Sequence, residues 1–154
     1  MHILVVVLRA THIFCGVLWA GAVLMGAIVA MPRIRSMGTA GLPQYRFMTD
    51  NRRATAVFAI TSALTVVSGL ALFPLIYGLA FPWSPTQWAL ALGGLSAIVS
   101  PFAGAVLAPL IGPRLPETDS SELREMVVAE QRVRAMAVML TVAILLMATA
   151  RYLY

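Results

Sequence analysis

The sequence predicts an all-α integral membrane protein, a bundle of four transmembrane helices with both termini outside the cell. Three observations support this fold class. Of the 154 residues, 60% are hydrophobic and only 11% are charged, whereas a soluble domain carries roughly 25% charged residues. Four apolar segments are long enough to cross a bilayer, and most of the charged residues lie between them. We therefore expect the lipid bilayer to surround the chain.

Each of the four apolar segments supplies roughly the 20 helical residues that a hydrocarbon core of about 30 Å requires. Together they predict a single membrane domain, residues 1–154, made of two helical hairpins, 1–79 and 80–154. The approximate bounds of the four segments are 3–31, 54–79, 87–111 and 135–152.

The arginines predict the orientation of these spans. The sequence contains no lysine, and nine of its 11 arginines lie in two connections, 32–53 and 113–134. By the positive-inside rule both connections are cytoplasmic and both termini lie outside, in the cell inner (plasma) membrane. The net charge of +5 then reflects topology, and no nucleic-acid partner is expected.

Both arginine-bearing connections contain helical signals. Asp119, followed by Glu122, has the spacing of a capping box, and Ser120 and Ser121 are alternative caps. We expect the helix to start near Ser121 and to continue into the fourth span, where Glu130 and Arg134 form a favourable i,i+4 pair. Pro43 suits the first turn of a helix, and the residues after it predict a helix that continues directly into the second span. We therefore expect the second and fourth helices to project beyond the bilayer.

A shift of 81 residues reveals an internal similarity. It aligns Pro32-Arg33 with Pro113-Arg114, and Arg53-Ala54 with Arg134-Ala135. This pattern predicts an ancient duplication of one hairpin. Two hairpins of the same orientation would be related by a pseudo-twofold axis along the membrane normal.

The first span carries the residues that could bind a cofactor. Arg9, His12, Gly16 and Trp19 recur at spacings of three and four, so they form one stripe on a helix. Under the 81-residue shift, His12 and Trp19 fall on a glycine and a serine of the second half. The candidate site therefore exists only in the first half of the chain.

Two interpretations of His12 remain open. In the first, His12 only donates a hydrogen bond to a hydroxyl on the second helix, where Thr61, Thr65 and Ser68 form a polar stripe. In the second, His12 is the axial ligand of a b-type haem, because a histidine inside a four-helix bundle is a common haem ligand. Ionisable residues inside a membrane are costly and by default suggest a function.

The haem interpretation assigns a role to each residue of the stripe. Arg9 would neutralise a propionate, Gly16 would leave room for the macrocycle, and Trp19 completes the stripe. Thr65, or a neighbouring hydroxyl, would orient the imidazole. His2 is ten residues from His12 on one helix, about 15 Å away, so both cannot bind one iron. A second ligand would come from a methionine, water or another subunit, which suggests a homodimer or a larger membrane complex.

Copper is the alternative metal. Nine methionines are present, and thioethers with imidazole suit Cu(I). The methionines are spread along the chain, however, and most suit packing. His2 with the terminal amine would bind copper weakly.

The pattern of His12, Trp19-Ala20-Gly21 and Pro32-Arg33 in the first span resembles the CopD-like copper-resistance membrane family. It is also similar, more weakly, to the bacterial membrane protoporphyrinogen oxidase family. The resemblance covers about 30 residues of the chain, and it implies a helical membrane protein that handles copper or haem through His12. Because the sequence has no lysine, a lysine-dependent oxidase activity is not implied.

Two functions follow as expectations. The first is a small redox-associated membrane protein that binds b-type haem through His12, in electron transfer or in haem or copper handling. The second is a non-catalytic accessory subunit of a larger membrane complex with no cofactor of its own. No catalytic residue is assigned in either case, since the predicted spans contain no acidic residue for acid–base chemistry.

Overall fold

The computed structural model describes residues 1–111 and 120–153, with side chains throughout these ranges except at 103–111. Every regular element in this part of the chain is helical, so the predicted all-α class is confirmed. The helices are α1 (His2–Ser36), α2 (Leu42–Thr49), α3 (Arg52–Tyr77), α4 (Pro85–Ile111) and α5 (Ser121–Ala150).

Three of these helices, α1, α3 and α5, are long and apolar enough to cross a membrane. At about 1.5 Å per residue, the 35 residues of α1 extend about 52 Å, well beyond a hydrocarbon core of about 30 Å. Helix α4 covers the third predicted span, although its side chains at 103–111 lie outside the described part. The structure thus indicates a helical membrane protein.

The long helices pack as two antiparallel pairs, α1 with α3 and α4 with α5. In the second pair the Ser96 hydroxyl donates to the carbonyl of Met139 at 3.0 Å. The two pairs meet where α1 contacts α5. The buried side chains there form an inner core, which consists of Trp19, Val23, Ala27, Ala137 and Leu140.

Helix α1 contains one π-helical turn, Gly26–Ala30. The buried residues of α1 from Cys15 to Met31 are spaced by four, and each step of four advances about 40° beyond a full turn of an α-helix. Consequently the buried stripe moves around α1 along its length. A π turn contains more residues than an α-helical turn, so it offsets this rotation. Ala27 and Met31 therefore still face α5.

The arginine-rich end of the bundle, residues 33–53 and 120–134, has a core of its own. Met31, Ile34 and Met126 are buried there, and Leu42 and Tyr45 of α2 pack against them. Burial raises the pKa of the Tyr45 hydroxyl, the nearby Glu125 raises it further, and Arg132 opposes the change. The Tyr45 side chain therefore stays neutral at physiological pH.

The predicted continuous helix from Pro43 into the second span is wrong. Pro43 does lie in the first turn of α2, but α2 ends at Thr49 and α3 begins at Arg52. Asn51 separates them because its backbone is extended, with ψ at 93°, and its side-chain oxygen accepts hydrogen bonds from the backbone N–H groups of Arg53 and Ala54. An Asn cap therefore starts a new helix at this point.

Substitution of Asn51 by alanine is expected to lower the free energy of unfolding by about 0.5–2 kcal/mol, because two backbone N–H groups at the start of α3 lose their acceptor. Thermal unfolding in detergent, followed by circular dichroism, measures the change. Asn51→Asp keeps an acceptor oxygen and should restore most of the stability. Equal losses in both variants would contradict the capping role.

The predicted start of the fourth helix near Ser121 is confirmed, and the cap is one of the two alternative serines, since Asp119 lies outside the described residues. Helix α5 starts at Ser121, and the Ser120 hydroxyl oxygen accepts a hydrogen bond from the backbone N–H of Leu123. Glu130 and Arg134 form the expected ion pair, with 2.6 Å between the carboxylate and the guanidinium.

The 81-residue repeat stays a prediction. Pro113 and Arg114 lie outside the described residues. Under the shift, the break at Asp50-Asn51 corresponds to residues 131–132, where α5 is continuous.

Candidate functional site

His12 is about one third of the way along α1, and its side chain lies between α1 and α3. Its Nδ1 donates a hydrogen bond to the backbone carbonyl oxygen of Thr65 at 2.8 Å. The hydroxyl oxygen of Ser68 lies 3.4 Å from the same nitrogen. His12 thus links the two helices of the first pair through a main-chain acceptor.

This contact determines the tautomer of the neutral imidazole. A carbonyl oxygen only accepts hydrogen bonds, so Nδ1 must carry the proton and Nε2 must carry the lone pair. Within the described residues no hydrogen bond to Nε2 is present. Donation from one ring nitrogen to a backbone carbonyl is the usual support for a histidine that binds metal through the other.

Gly69 forms one wall of the His12 site. A Cβ atom at this position would lie 2.8 Å from Cε1 and 3.1 Å from Nδ1 of the ring. Real Cβ atoms do not approach other heavy atoms so closely. The imidazole therefore rests directly on the backbone of α3, and only glycine at position 69 permits this placement.

Gly16 has a different role from the expected one. A Cβ atom on Gly16 would lie 3.4 Å from Cγ2 of Thr65, so the space beside Gly16 is occupied by α3. This small residue allows close helix packing. It does not leave room for a macrocycle on that face of α1.

Thr65 contacts His12, as predicted, but through its carbonyl oxygen. The predicted polar stripe on α3 is present, and its hydroxyls are satisfied within their own helix, since Thr61 donates to Val57 and Thr65 donates to Thr61. Such donation to the preceding turn is common for Ser and Thr in helices. The shorter contact of His12 is therefore with a main-chain carbonyl at 2.8 Å, and the expected hydroxyl contact is made by Ser68 at 3.4 Å.

Trp19 lies in the inner core, about 10 Å further along α1 than His12. It is 3% exposed, and the buried members of that core come from α1 and α5. Its indole Nε1 has no hydrogen-bond partner within the described residues. Seven residues turn an α-helix through about 700°, so His12 and Trp19 face nearly the same direction, and it is their distance along the helix that separates them.

Arg9 is exposed and borders a groove of about 700 Å³ between the start of α1 and the end of α3. The groove also contacts His2, Ala10, Ile13 and Ile76. In the described structure Arg9 is in no ion pair. All six acidic residues of the sequence lie between positions 50 and 130, so no Asp or Glu is near Arg9 in the sequence.

The described residues contain no cluster of three or more His, Cys, Asp or Glu side chains that could hold a metal ion. Haem brings four nitrogens of its own, so one histidine can serve as its protein ligand.

The arginine-rich end contains a second polar cluster that the sequence predicted only in part. Glu130 is 0% exposed. Its carboxylate lies 3.3 Å from the guanidinium of Arg35 and 2.6 Å from that of Arg134. Arg35 belongs to α1, and its contact with Glu130 joins the first and last helices of the chain. The spacing of Glu130 and Arg134 was visible in the sequence, whereas nothing local indicated Arg35.

Comparison with known proteins finds no matching family model, no similar curated protein and no similar solved structure. Function is therefore argued from the geometry of the site and from the properties of the helices.

Proposed function

We propose that this protein is a small integral membrane protein that binds b-type haem through Nε2 of His12. The observation that carries the proposal is the hydrogen bond from Nδ1 to the Thr65 carbonyl, because it leaves Nε2 as a lone-pair donor. The resemblance of the first span to families that handle copper or haem through this histidine agrees with it.

The proposal includes a four-span topology. Helix α4 adds a fourth span to α1, α3 and α5, and the arginines place residues 32–53 and 113–134 in the cytoplasm. Both termini then lie outside the inner membrane. In this orientation His12 is in the outer half of the bilayer, one turn deeper than Arg9.

The residues around His12 would perform distinct tasks. The Thr65 carbonyl orients the ring and increases the basicity of Nε2. Arg9, which has no carboxylate near it in the sequence, offers a positive charge for a propionate. The haem would supply one-electron chemistry when bound, and the ligand set and hydrogen bonds would tune its potential.

The second axial position is not supplied by another histidine of this chain. His2 is the other histidine in the sequence, and it lies about 15 Å away along α1. The second axial ligand would then be water, a methionine or a group from a second subunit. This supports the proposal of a homodimer or a membrane complex.

Haemin titration into the full chain in detergent tests the proposal. We expect the wild-type protein to shift and sharpen the Soret band of the added haemin, and His12→Ala not to do so, because the axial nitrogen is removed. His2→Ala is the matched control and should titrate like the wild type. Far-UV circular dichroism of His12→Ala should match that of the wild type, which separates a lost ligand from a lost fold. Equal binding by His12→Ala would overturn haem ligation through this residue.

One observation favours a second function, that of an accessory subunit without a cofactor. The His12 ring already packs on Gly69 and donates to Thr65, so it can act solely as a tie between α1 and α3. In that case the wild-type protein would not shift or sharpen the Soret band of the added haemin. His12→Ala would then lower the free energy of unfolding by about 0.5–1.5 kcal/mol, the net contribution of one hydrogen bond.

A further inference from the structure

Helix α2 lies at the level where the apolar part of α3 begins. After Arg52 and Arg53, α3 carries no charged residue as far as its end at Tyr77, so the boundary of its membrane-spanning part falls near Arg53. Only two residues separate α2 from α3. The end of α2 is therefore within a few ångströms of the headgroup region.

Contacts on one side of α2 determine which face is turned outward. Tyr45 packs on the core of the arginine-rich end, and the guanidinium of Arg46 pairs with the carboxylate of Glu122 on α5. These contacts hold α2 against α1 and α5. Helical spacing then directs Phe47 away from the bundle.

The outward face of α2 carries two neighbouring apolar side chains beside the exposed Gln44. Phe47 is 72% exposed, Met48 is 40% exposed, and Met37 just before α2 is 41% exposed. A neighbouring phenylalanine and methionine turned away from the bundle form an apolar patch, which commonly marks an interaction site. Aromatic side chains favour the interface between lipid and water.

Positive charge flanks this apolar patch. Arg52 and Arg53 are exposed and take part in no ion pair within the described residues. Asp50 is the one acidic residue between positions 33 and 53, against five arginines, of which Arg35 and Arg46 are paired with carboxylates of α5. The backbone N–H of Arg53 is already bonded to Asn51, so the guanidinium groups, and not the helix terminus, would bind an anion.

We propose that residues 42–53 dock on the anionic phospholipid surface of the bilayer that the long helices span. Phe47 and Met48 enter the interfacial zone, and Arg52 and Arg53 bind lipid phosphates. An anionic lipid surface is the partner that complements the charge of residues 42–53, since basic residues beside an amphipathic helix attract anionic lipid. This proposal depends on the membrane placement and is independent of haem.

Fluorescence quenching of the full chain in nanodiscs tests the docking. A single-cysteine variant, Cys15→Ala with Met48→Cys, carries a bimane label next to Phe47. The bilayer contains phosphatidylcholine brominated near the headgroup, with or without phosphatidylglycerol. We expect phosphatidylglycerol to increase the quenching, because anionic lipid attracts α2 to the surface.

Charge variants identify the residues involved. Arg52→Gln with Arg53→Gln should lower the ratio of docked to undocked α2 by about 25-fold, at about fivefold per arginine. Arg33→Gln with Arg124→Gln is the matched control, because both arginines are exposed, lie at the same end and are in no ion pair of the described structure. This control should retain the quenching that phosphatidylglycerol induces.

Phe47→Ser should leave the bundle intact, since this side chain is largely exposed. With all arginines present, this variant should still reduce the quenching. Three outcomes would overturn the proposal. They are equal quenching in neutral and anionic bilayers, equal losses in the two arginine pairs, and a label that remains unquenched in both bilayers. The last outcome would assign the patch to a protein partner.

Discussion

Replacing both Arg35 and Arg134 by alanine is expected to lower the free energy of unfolding by about 3–5 kcal/mol, because the Glu130 carboxylate would be left charged and buried without a partner. Glu130 is 0% exposed, and neither of its oxygens has a hydrogen bond in the described structure. The two ion pairs are therefore the main interactions that offset the cost of burying the charged Glu130 carboxylate. Unfolding in mixed micelles of increasing SDS content measures the loss.

Adding Glu130→Gln to the double variant should recover most of the lost stability, since an uncharged amide needs no counter-ion. Glu130→Gln alone should cost less than the double variant, because Arg35 is 40% exposed and Arg134 is 35% exposed, and both can reach water. Arg33→Ala with Arg124→Ala is the control and should change stability by less than about 0.5 kcal/mol. A triple variant no more stable than the double variant would contradict this account.

Substitution of Gly69 by alanine is expected to displace the His12 ring and to weaken haem binding by about 10–100-fold, the usual cost of losing a group that orients a metal ligand. The added Cβ would lie 2.8 Å from Cε1. The ring cannot move away without lengthening the 2.8 Å hydrogen bond to the Thr65 carbonyl. Overpacking of this kind also costs about 1–3 kcal/mol of stability. Haemin titration and thermal unfolding measure the two effects.

Gly21→Ala is the matched control for this substitution. Gly21 is also a helical glycine, but a Cβ atom there would have no atom within 4 Å. It should leave haem binding unchanged and stabilise the protein by about 0.5–1 kcal/mol, because alanine favours a helix over glycine. If Gly69→Ala and Gly21→Ala behave alike, the His12 ring does not depend on contact with Gly69.

The two variants also separate the proposed functions. A haem protein would show a loss of both haem affinity and stability in Gly69→Ala. An accessory subunit without a cofactor would show only the loss of stability. The ion-pair variants lie at the opposite end of α1 from His12, so they should lower stability without changing the intrinsic affinity of the folded protein for haem.

Most of the helical architecture could be predicted from the sequence, because apolar length and helix caps are local properties of the chain. The helical class, the start of α5 at Ser121 and the pairing of Glu130 with Arg134 all depend on residues within one or two turns of each other. His12 could also be identified as a candidate ligand from local sequence, because it is an imidazole in an apolar segment. The break before α3 was missed, although Asn51 carried a recognisable capping signal.

The geometry of the candidate site depended on tertiary structure. Periodicity placed His12 and Trp19 on one stripe, but it could not show that His12 bonds to α3 while Trp19 lies in the inner core with side chains of α5. Neither the use of the Thr65 carbonyl nor the contact with Gly69 has a sequence signal, because both depend on how closely two helices approach and in which register.

The sequence by itself therefore determined that the chain is a helical membrane protein with one histidine deep in its first helix. Only the tertiary structure decided which nitrogen of that histidine is free, which glycine supports it and which arginine of α1 reaches Glu130. The physical reason is that helix formation and apolar length are encoded by neighbouring residues. Ring orientation, close packing and ion pairing between helices depend on surfaces that meet only after the helices have packed.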